Sequence, residues 1–413
     1  MVMVRPFRGL RYNHDMIDSF ESVLAPPYDV ISEPQQNQLY ECSPYNVVRI
    51  ILAREKGDER YRSAAHTFQK WISERVLVQD DETGIYPYYL EFEDEGKRAV
   101  RRGFIAAIKI EDFSEGKVLP HELTFAKHKE DRLKLTKATD ANLSPVFAVY
   151  SDPDGGIEEQ IHDKVSNTPP IINALSGEGV RSKLWKITEP GLLESISNAL
   201  VGSTVLIADG HHRYETALNY MKFRKKSSGD SSGESEYEYV MMYLSRAESD
   251  GLIIKPTHRV ISNAGPLTFE DILNQVMGKF DVKRVSLKIA AASLGKEEFL
   301  MVTGQHNTEH DYVYKLSPKE LHKESFRNLA VMQLHTSVLG SIISEKYGGI
   351  EYTKSMDEAV ELVRTRGYEL AFILPPLSAL DIFDVTFAGE KMPHKSTYFY
   401  PKIPSGLVFH LLG

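Results

Sequence analysis

The chain has 413 residues, enough for two or three domains and for a core that needs neither disulfide nor metal to hold it. Apolar residues make up 42% and charged residues 26%, which excludes fibrous and wholly disordered classes, and a single cysteine, Cys42, excludes an intramolecular disulfide, a CxxC redox pair and a multi-cysteine metal site. With 49 Lys and Arg against 58 Asp and Glu, the net charge of −9 opposes the positive footprint of broad DNA binding. No apolar run approaches the roughly 18 residues of a membrane span, and the opening residues lack a charged-then-apolar leader, so a soluble, cytoplasmic protein is expected.

The hydrophobic pattern predicts a mixed α+β chain. Residues 3–7 read as a short strand that Pro6 confines to an edge, and Pro26 and Pro27 force an extended loop over 24–32. Ser32 reads as the N-cap of a following helix. Residues 46–52 are apolar and β-branched enough for a strand, and 58–74 carry apolar residues at helical spacing. Residues 85–92 and 99–110 predict paired strands, 120–140 a charge-mixed and partly helical segment, and 146–150 a strand. Helices are expected over 156–165 and 191–200, with a strand at 183–187 between them. A buried strand at 203–208 leads into a helix at 214–222. Residues 225–238 open a polar, glycine- and serine-rich stretch expected to be a flexible loop, before a strand at 239–244. Residues 253–260 lead to a domain boundary near 263–266, giving a region 1–265 and a smaller α+β domain 266–413. That domain is expected to hold a helix at 269–280, a hairpin over 299–314 broken at 304–310, a long helix at 326–344, a strand–helix–strand unit over 350–374 and a closing strand within 399–411.

The segment Asp209-Gly-His-His-Arg213 lies between a short apolar strand and an amphipathic helix. Asp209 suits an N-cap and Gly210 a tight turn with close approach of a ligand. Backbone N–H groups at a helix start, with the positive end of its dipole, attract anions, and His211, His212 and Arg213 add side-chain donors, Arg213 as a bidentate fork for phosphate. The competing reading is a capped helix with structural histidines. His211 and His212 point about 100° apart on a helix, which disfavours shared chelation of one ion.

Asp209-Gly-His-His-Arg-Tyr-Glu-Thr-Ala217 resembles the nucleotide-binding turn of the ParB/sulfiredoxin superfamily, whose members include partition CTPases, sulfiredoxins and free-serine kinases. Nearly end to end, the chain is similar to the domain of unknown function 1015 family, through Arg5-Pro-Phe-Arg-Gly9, Leu24-Ala-Pro-Pro-Tyr-Asp-Val30, Pro120-His-Glu-Leu-Thr124, Lys129-Glu-Asp-Arg-Leu133, Asn142-Leu-Ser-Pro145, Pro256-Thr-His-Arg-Val260 and Met392-Pro-His-Lys-Ser-Thr-Tyr398. The resemblance implies a ParB/sulfiredoxin-like N-terminal region that binds ATP or ADP with Mg²⁺. Sulfiredoxin chemistry is excluded, because it needs a cysteine in the turn where His211 and His212 stand.

An acidic residue on a proline-stiffened loop can act as a general base, and the kinase branch implies that role for Asp29, with Glu33 as its competitor. His121 and Glu122 are candidates for proton transfer, and Asp209 and Glu122 for holding Mg²⁺. Candidate substrate contacts are Lys129 and Arg132 in the charge-mixed segment, Asn142 and Ser144 directly before a predicted strand, His258 and Arg259 at a strand end, and Lys395 and Ser396 in a polar connection of the C-terminal unit. Two functions fit these residues: a nucleotide-dependent phosphotransferase acting on a small hydroxylated metabolite such as free serine, or a nucleotide-binding regulatory protein without kinase activity. The partners expected are a nucleotide and a small molecule, with a homodimer compatible and neither membrane nor nucleic acid expected.

Overall fold

A computed structural model describes residues 2–122, 126–229, 233–303, 312–342 and 349–413. It is a mixed α+β structure whose contacts divide it into a first unit, residues 1–253 with 401–413, and a second, residues 254–400. Residues 254–265, placed in the N-terminal region from the sequence, therefore belong to the second unit, because strand His258–Ile261 pairs within its sheet. The last residues return to the first unit. Among the described residues no helix is long and apolar enough to cross a membrane.

The first unit is built on a mixed sheet. Its strands run in spatial order Ile172–Leu175, Arg181–Leu184, Tyr86–Asp94, Gly103–Lys109, Tyr239–Arg246, Val146–Tyr150, Val205–Asp209 and Val118–Pro120. Val4–Arg5 pairs with Gly103–Lys109 off this path, which suits the edge position that Pro6 requires. Tyr239–Arg246 is parallel to Val146–Tyr150, and Val205–Asp209 is parallel to Val118–Pro120. The central strands read as continuous apolar runs because side chains on both faces are buried. On one face, Phe104, Ala106, Ile108, Val240, Met242 and Leu244 form a core with Ile157 and Ile161 of helix Gly156–Val165, Ile196 of helix Pro190–Leu200 and Tyr214 of helix His211–Ser228. Strand alternation sends Phe147 and Tyr243 to the opposite face.

The chain's final segment is woven into this unit. Phe409 and Leu10 exchange backbone hydrogen bonds of 2.9 Å each, and Ser405 N–H donates to the Ala25 carbonyl at 2.8 Å. His410–Leu411 pairs antiparallel with Ala141–Asn142. Phe409 is buried with its ring edge-on to Phe68 and Tyr12.

The second unit is an antiparallel sheet in the order Phe280–Arg284, Tyr312–Pro318, Phe299–Thr303, Leu370–Ile373, His258–Ile261 and Ile350–Thr353. Helix Met356–Thr365 buries Ala359, Val360 and Val363 against Val260, Leu300, Val302 and Ala371. Reciprocal side-chain and backbone bonds cap helix Phe269–Lys279 at Thr268 and Asp271, and helix Ala379–Phe387 at Ser378 and Asp381.

Several local expectations are corrected. Residues 46–52 form a helical turn, Val48–Ile51, rather than a strand. Asn46 accepts from Val48 N–H at 3.0 Å and donates to the Ser22 and Leu24 carbonyls, fixing the turn, and a short buried apolar run carries no period that separates helix from strand. The expected loop at 225–238 begins as the last turn of helix His211–Ser228, which ends on left-handed Gly229; residues 230–232 lie outside the described residues. In place of the long helix predicted over 326–344, the described residues form Ser325–Asn328 in a 3-10 turn, Ala330–Leu334, a π turn at His335–Leu339 and Gly340–Ile342, residues 343–344 lying outside the described residues. The wider turn opens at His335, whose ring accepts a hydrogen bond from buried Arg259. The break expected at 304–310 lies outside the described residues.

Truncating Phe409 to Ala should cost the first unit about 3–5 kcal/mol, because a fully buried aromatic leaves a cavity between two segments distant in sequence. Urea unfolding of the full chain checks this; a loss under about 1 kcal/mol would show that the final segment is not part of that core.

Candidate functional site

Strand Val205–Asp209 ends at Asp209, and Gly210 turns the chain into the 18-residue helix His211–Ser228. Gly210 has φ of +89°, and a Cβ there would lie 2.8 Å from Arg213 Nε, so only glycine fits both the left-handed backbone and the arginine folded over it. Gly210, not Asp209, is the N-cap, and the helix opens without a side-chain cap. This corrects the capping role expected of Asp209.

Asp209 instead anchors two cations. Its Oδ2 accepts from Arg213 Nη2 at 2.6 Å and its Oδ1 from Lys402 Nζ at 2.5 Å. Arg213 Nη1 also donates to the Pro145 carbonyl. Burial alone would raise the Asp209 pKa, but the charges of Lys402 and Arg213 outweigh it and hold the carboxylate far below its ordinary range.

Two histidines stand beside this turn. His121 is buried, and its Nδ1 lies 2.7 Å from the Ile207 carbonyl; a carbonyl only accepts, so Nδ1 carries the proton. The His211 ring meets it edge-on at 4.6 Å between centroids, and His211 Nε2 is buried without a hydrogen-bond partner. Burial pushes the His121 pKa down to about 4; burial and then the neighbouring His121 push His211 well below its ordinary value. Both rings are neutral at pH 7.

A cavity of about 60 Å³, room for a few waters, is lined by Tyr28, Arg132, Asn142, Ser144, Arg213 and Thr216, among others. It thus brings together residues predicted from separate stretches of sequence. Arg132 lies 3.9 Å over the Tyr28 ring and is held by Asp131 and the Ile51 carbonyl. Asn142 accepts from Met241 N–H at 2.9 Å, and the hydroxyls of Ser144 and Ser405 meet at 2.6 Å. Asp29 is exposed on the turn Tyr28–Val30, beside the cavity residue Tyr28. Lys129 pairs with Glu215 at 2.7 Å, joining helix Ala126–Thr139 to helix His211–Ser228. Glu122 follows His121 and is half-buried, and His212 is half-buried at the helix start.

His258, Arg259, Lys395 and Ser396 belong to the second unit. There Arg259 donates to the Thr257 carbonyl, to His335 Nε2 at 3.2 Å and to the His394 carbonyl at 3.4 Å. His258 Nδ1 accepts from Leu374 N–H at 3.2 Å, Lys395 lies over the Tyr352 ring, and Ser396 donates to the Pro393 carbonyl at 2.5 Å.

Of the two expected magnesium ligands, Asp209 is ion-paired and Glu122 is half-buried. Both Asp209 oxygens are engaged by cations, and among the described residues no three His, Cys, Asp or Glu side chains gather to hold a metal. Sequence reasoning also missed Arg101, a fully buried guanidinium within reach of the Asp209 charge, because an arginine in a charged strand reads as solvated.

Unfolded, His121 titrates near 6.5; folded, near 4. Below pH 6.5 the unfolded chain takes up a proton that the folded chain refuses. The stability contributed is therefore intact above pH 6.5 and lost as pH falls towards 4, by roughly 3 kcal/mol at most for this one ring. Denaturant midpoints for wild type and His121→Gln, followed from pH 7 to 4.5, should converge as pH falls; parallel curves would refute the buried neutral ring.

Among solved structures, the chain is similar to a conserved hypothetical protein from Pyrococcus furiosus, with 12% identity, a TM-score of 0.33, and coverage of 70% of this chain and 90% of that one. A variant free serine kinase in complex with ADP gives 15% identity, a TM-score of 0.35, and coverage of 71% and 90%. SbnI with a C-terminal truncation, from Staphylococcus aureus, gives 11%, 0.36, and coverage of 73% and 85%. No curated protein matches the chain. Residues 4–336 match the family described as protein of unknown function (DUF1015), and the chain belongs to that family.

Proposed function

We propose that this protein is a nucleotide-dependent phosphotransferase that binds the phosphates of ATP or ADP at the Gly210 turn, in the manner of a ParB/sulfiredoxin-like site, and phosphorylates a small hydroxylated metabolite of the free-serine kind. The observation that carries the reading is the uncapped start of helix His211–Ser228, flanked by Arg213 and Lys402 on one shared carboxylate. Helix-start N–H groups and a guanidinium fork suit phosphate oxygens, and a phosphate competing for Arg213 or Lys402 exchanges one charge-assisted contact for another.

In the reaction, the acceptor hydroxyl oxygen attacks the terminal phosphorus while the bond from that phosphorus to the bridging oxygen breaks, and ADP leaves from ATP or AMP from ADP. Asp29 takes the hydroxyl proton. Arg213 stabilises charge spreading over the transferred group. His121 is kept neutral by burial and orients its unprotonated Nε2 through the Ile207 carbonyl, which makes it a polar wall of the site and a weak base beside Asp29.

ATP and ADP should each raise the melting temperature of the wild-type protein, by an amount equivalent to about 2.7 kcal/mol at a hundred times the dissociation constant. Arg213→Ala should lose that shift and lower kcat/KM for serine phosphorylation by about a hundredfold or more. Asp29→Asn should keep nucleotide binding and lose turnover. Absence of any nucleotide shift in wild type would sink the proposal; nucleotide binding with no turnover of serine or related alcohols would leave the regulatory reading in its place.

A further inference from the structure

The cavity of about 60 Å³ that Arg213 lines has a character that a nucleotide does not explain. Room for a few waters is too little for a purine with its sugar and suits a reactant of a few heavy atoms. Its walls are largely apolar, with Ile51, Leu143, Val146 and Val240 among them, and no Asp or Glu of the described residues lines it.

The two guanidiniums in the wall are already engaged. Arg132 donates to Asp131 and to the Ile51 carbonyl, and Arg213 donates to Asp209 and to the Pro145 carbonyl. Each acid also serves a second cation, Arg60 on Asp131 and Lys402 on Asp209. An ammonium entering the cavity would find only anions that two cations already share. The groups left over are neutral. Asn142 spends its amide oxygen on Met241 N–H, and its NH2 has no acceptor among the described residues. Tyr28 meets Arg132 through its ring, and its hydroxyl has no hydrogen-bond partner among them. Thr216, at the next turn of the helix from Arg213, is 3% exposed, and its Oγ1 is unpartnered. A phenol, an amide and a hydroxyl left over around one apolar cavity match the hydroxyls of a neutral ligand. The cavity is also well placed: Tyr28 directly precedes Asp29, and Arg213 belongs both to its wall and to the Gly210 turn.

We propose that this cavity is the acceptor subsite, that Tyr28, Asn142 and Thr216 hold the acceptor by its non-reacting hydroxyls, and that the acceptor is a neutral polyol of about three or four carbons, with serine a poorer substrate of the same site. Calling the occupant an acceptor rests on the phosphotransferase reading; the polyol contact does not. Binding through hydroxyls that do not react fixes the chain of the ligand and leaves one hydroxyl to be aimed at the phosphate.

Two measurements on the full chain test this. In ligand-observed NMR titrations without nucleotide, wild type should bind glycerol or erythritol more tightly than L-serine. Tyr28→Phe and Thr216→Val should each weaken polyol binding several-fold while leaving the ADP melting shift unchanged. Neither should lower the melting temperature of the free protein, because each removes a polar group that has no partner to lose. In kinetics with ATP, wild type should give a kcat/KM for the better polyol roughly tenfold or more above that for serine. Asn142→Asp keeps an acceptor for Met241 N–H and adds the missing anion, so it should move that preference towards serine by roughly tenfold. Should Asn142→Asp fail to fold, the other two variants decide. Serine bound and turned over as well as the polyols, equal polyol affinity in wild type and the variants, or no polyol binding would overturn the proposal even with nucleotide binding intact. If a polyol binds in a way that depends on Tyr28 and Thr216 but no nucleotide binds, the subsite stands and the phosphotransferase reading falls.

Discussion

The carboxylate of Asp209 holds the site together. It ends a buried strand, and its two oxygens gather the first turn of the following helix through Arg213 and the returning C-terminal segment through Lys402. Two cations on one buried acid are stable only while that acid stays ionised, and their charge is what keeps it so. The neighbouring histidines follow from the same arrangement. Burial first of all keeps His121 and His211 neutral, against the pull of the Asp209 carboxylate, and the Ile207 carbonyl decides where the His121 proton sits. The result is a turn at which two cations share one buried carboxylate beside two neutral rings.

Glycine makes this geometry reachable. Arg213 folds back over Gly210 closely enough that a methyl group there would collide with it, and the positive φ sets the direction from strand to helix. The backbone and the side chain therefore share one requirement, and it is met at one position.

Much of this was legible in the amino-acid sequence where interactions are local. The apolar strand, the glycine, the basic residues and the amphipathic helix stand next to one another, so the Gly210 turn could be placed before any coordinates. Helix Glu59–Ser73, with Tyr61, Ala64, Phe68 and Trp71 on its buried side, and helix Gly156–Val165 were equally readable from period alone. What the sequence hid was long-range. Lys402 lies 193 residues from the carboxylate it pairs with, and Arg101 lies 300 residues from the carbonyl that holds it. Nothing in a local window separates Arg101 from Arg98, which is exposed on the same strand. The turn at Val48–Ile51 departs from its local pattern for a related reason: its shape is set by Asn46 reaching back to the Ser22 and Leu24 carbonyls, not by its own β-branched residues.

The path of the chain has a consequence for how the site comes into being. Residues 254–400 form a unit inserted between the bulk of the first unit and its closing segment. On a ribosome, the strand bearing Asp209 and the helix bearing Arg213 emerge long before Lys402, and all of the inserted unit must be synthesised in between. Until then the acid has one of its two cations, and the Leu10 edge has no Phe409 to pair with. Pairing of Asp209 with its second cation therefore waits for synthesis of residue 402, so a chain terminated within the inserted unit carries the recognisable turn without that lysine.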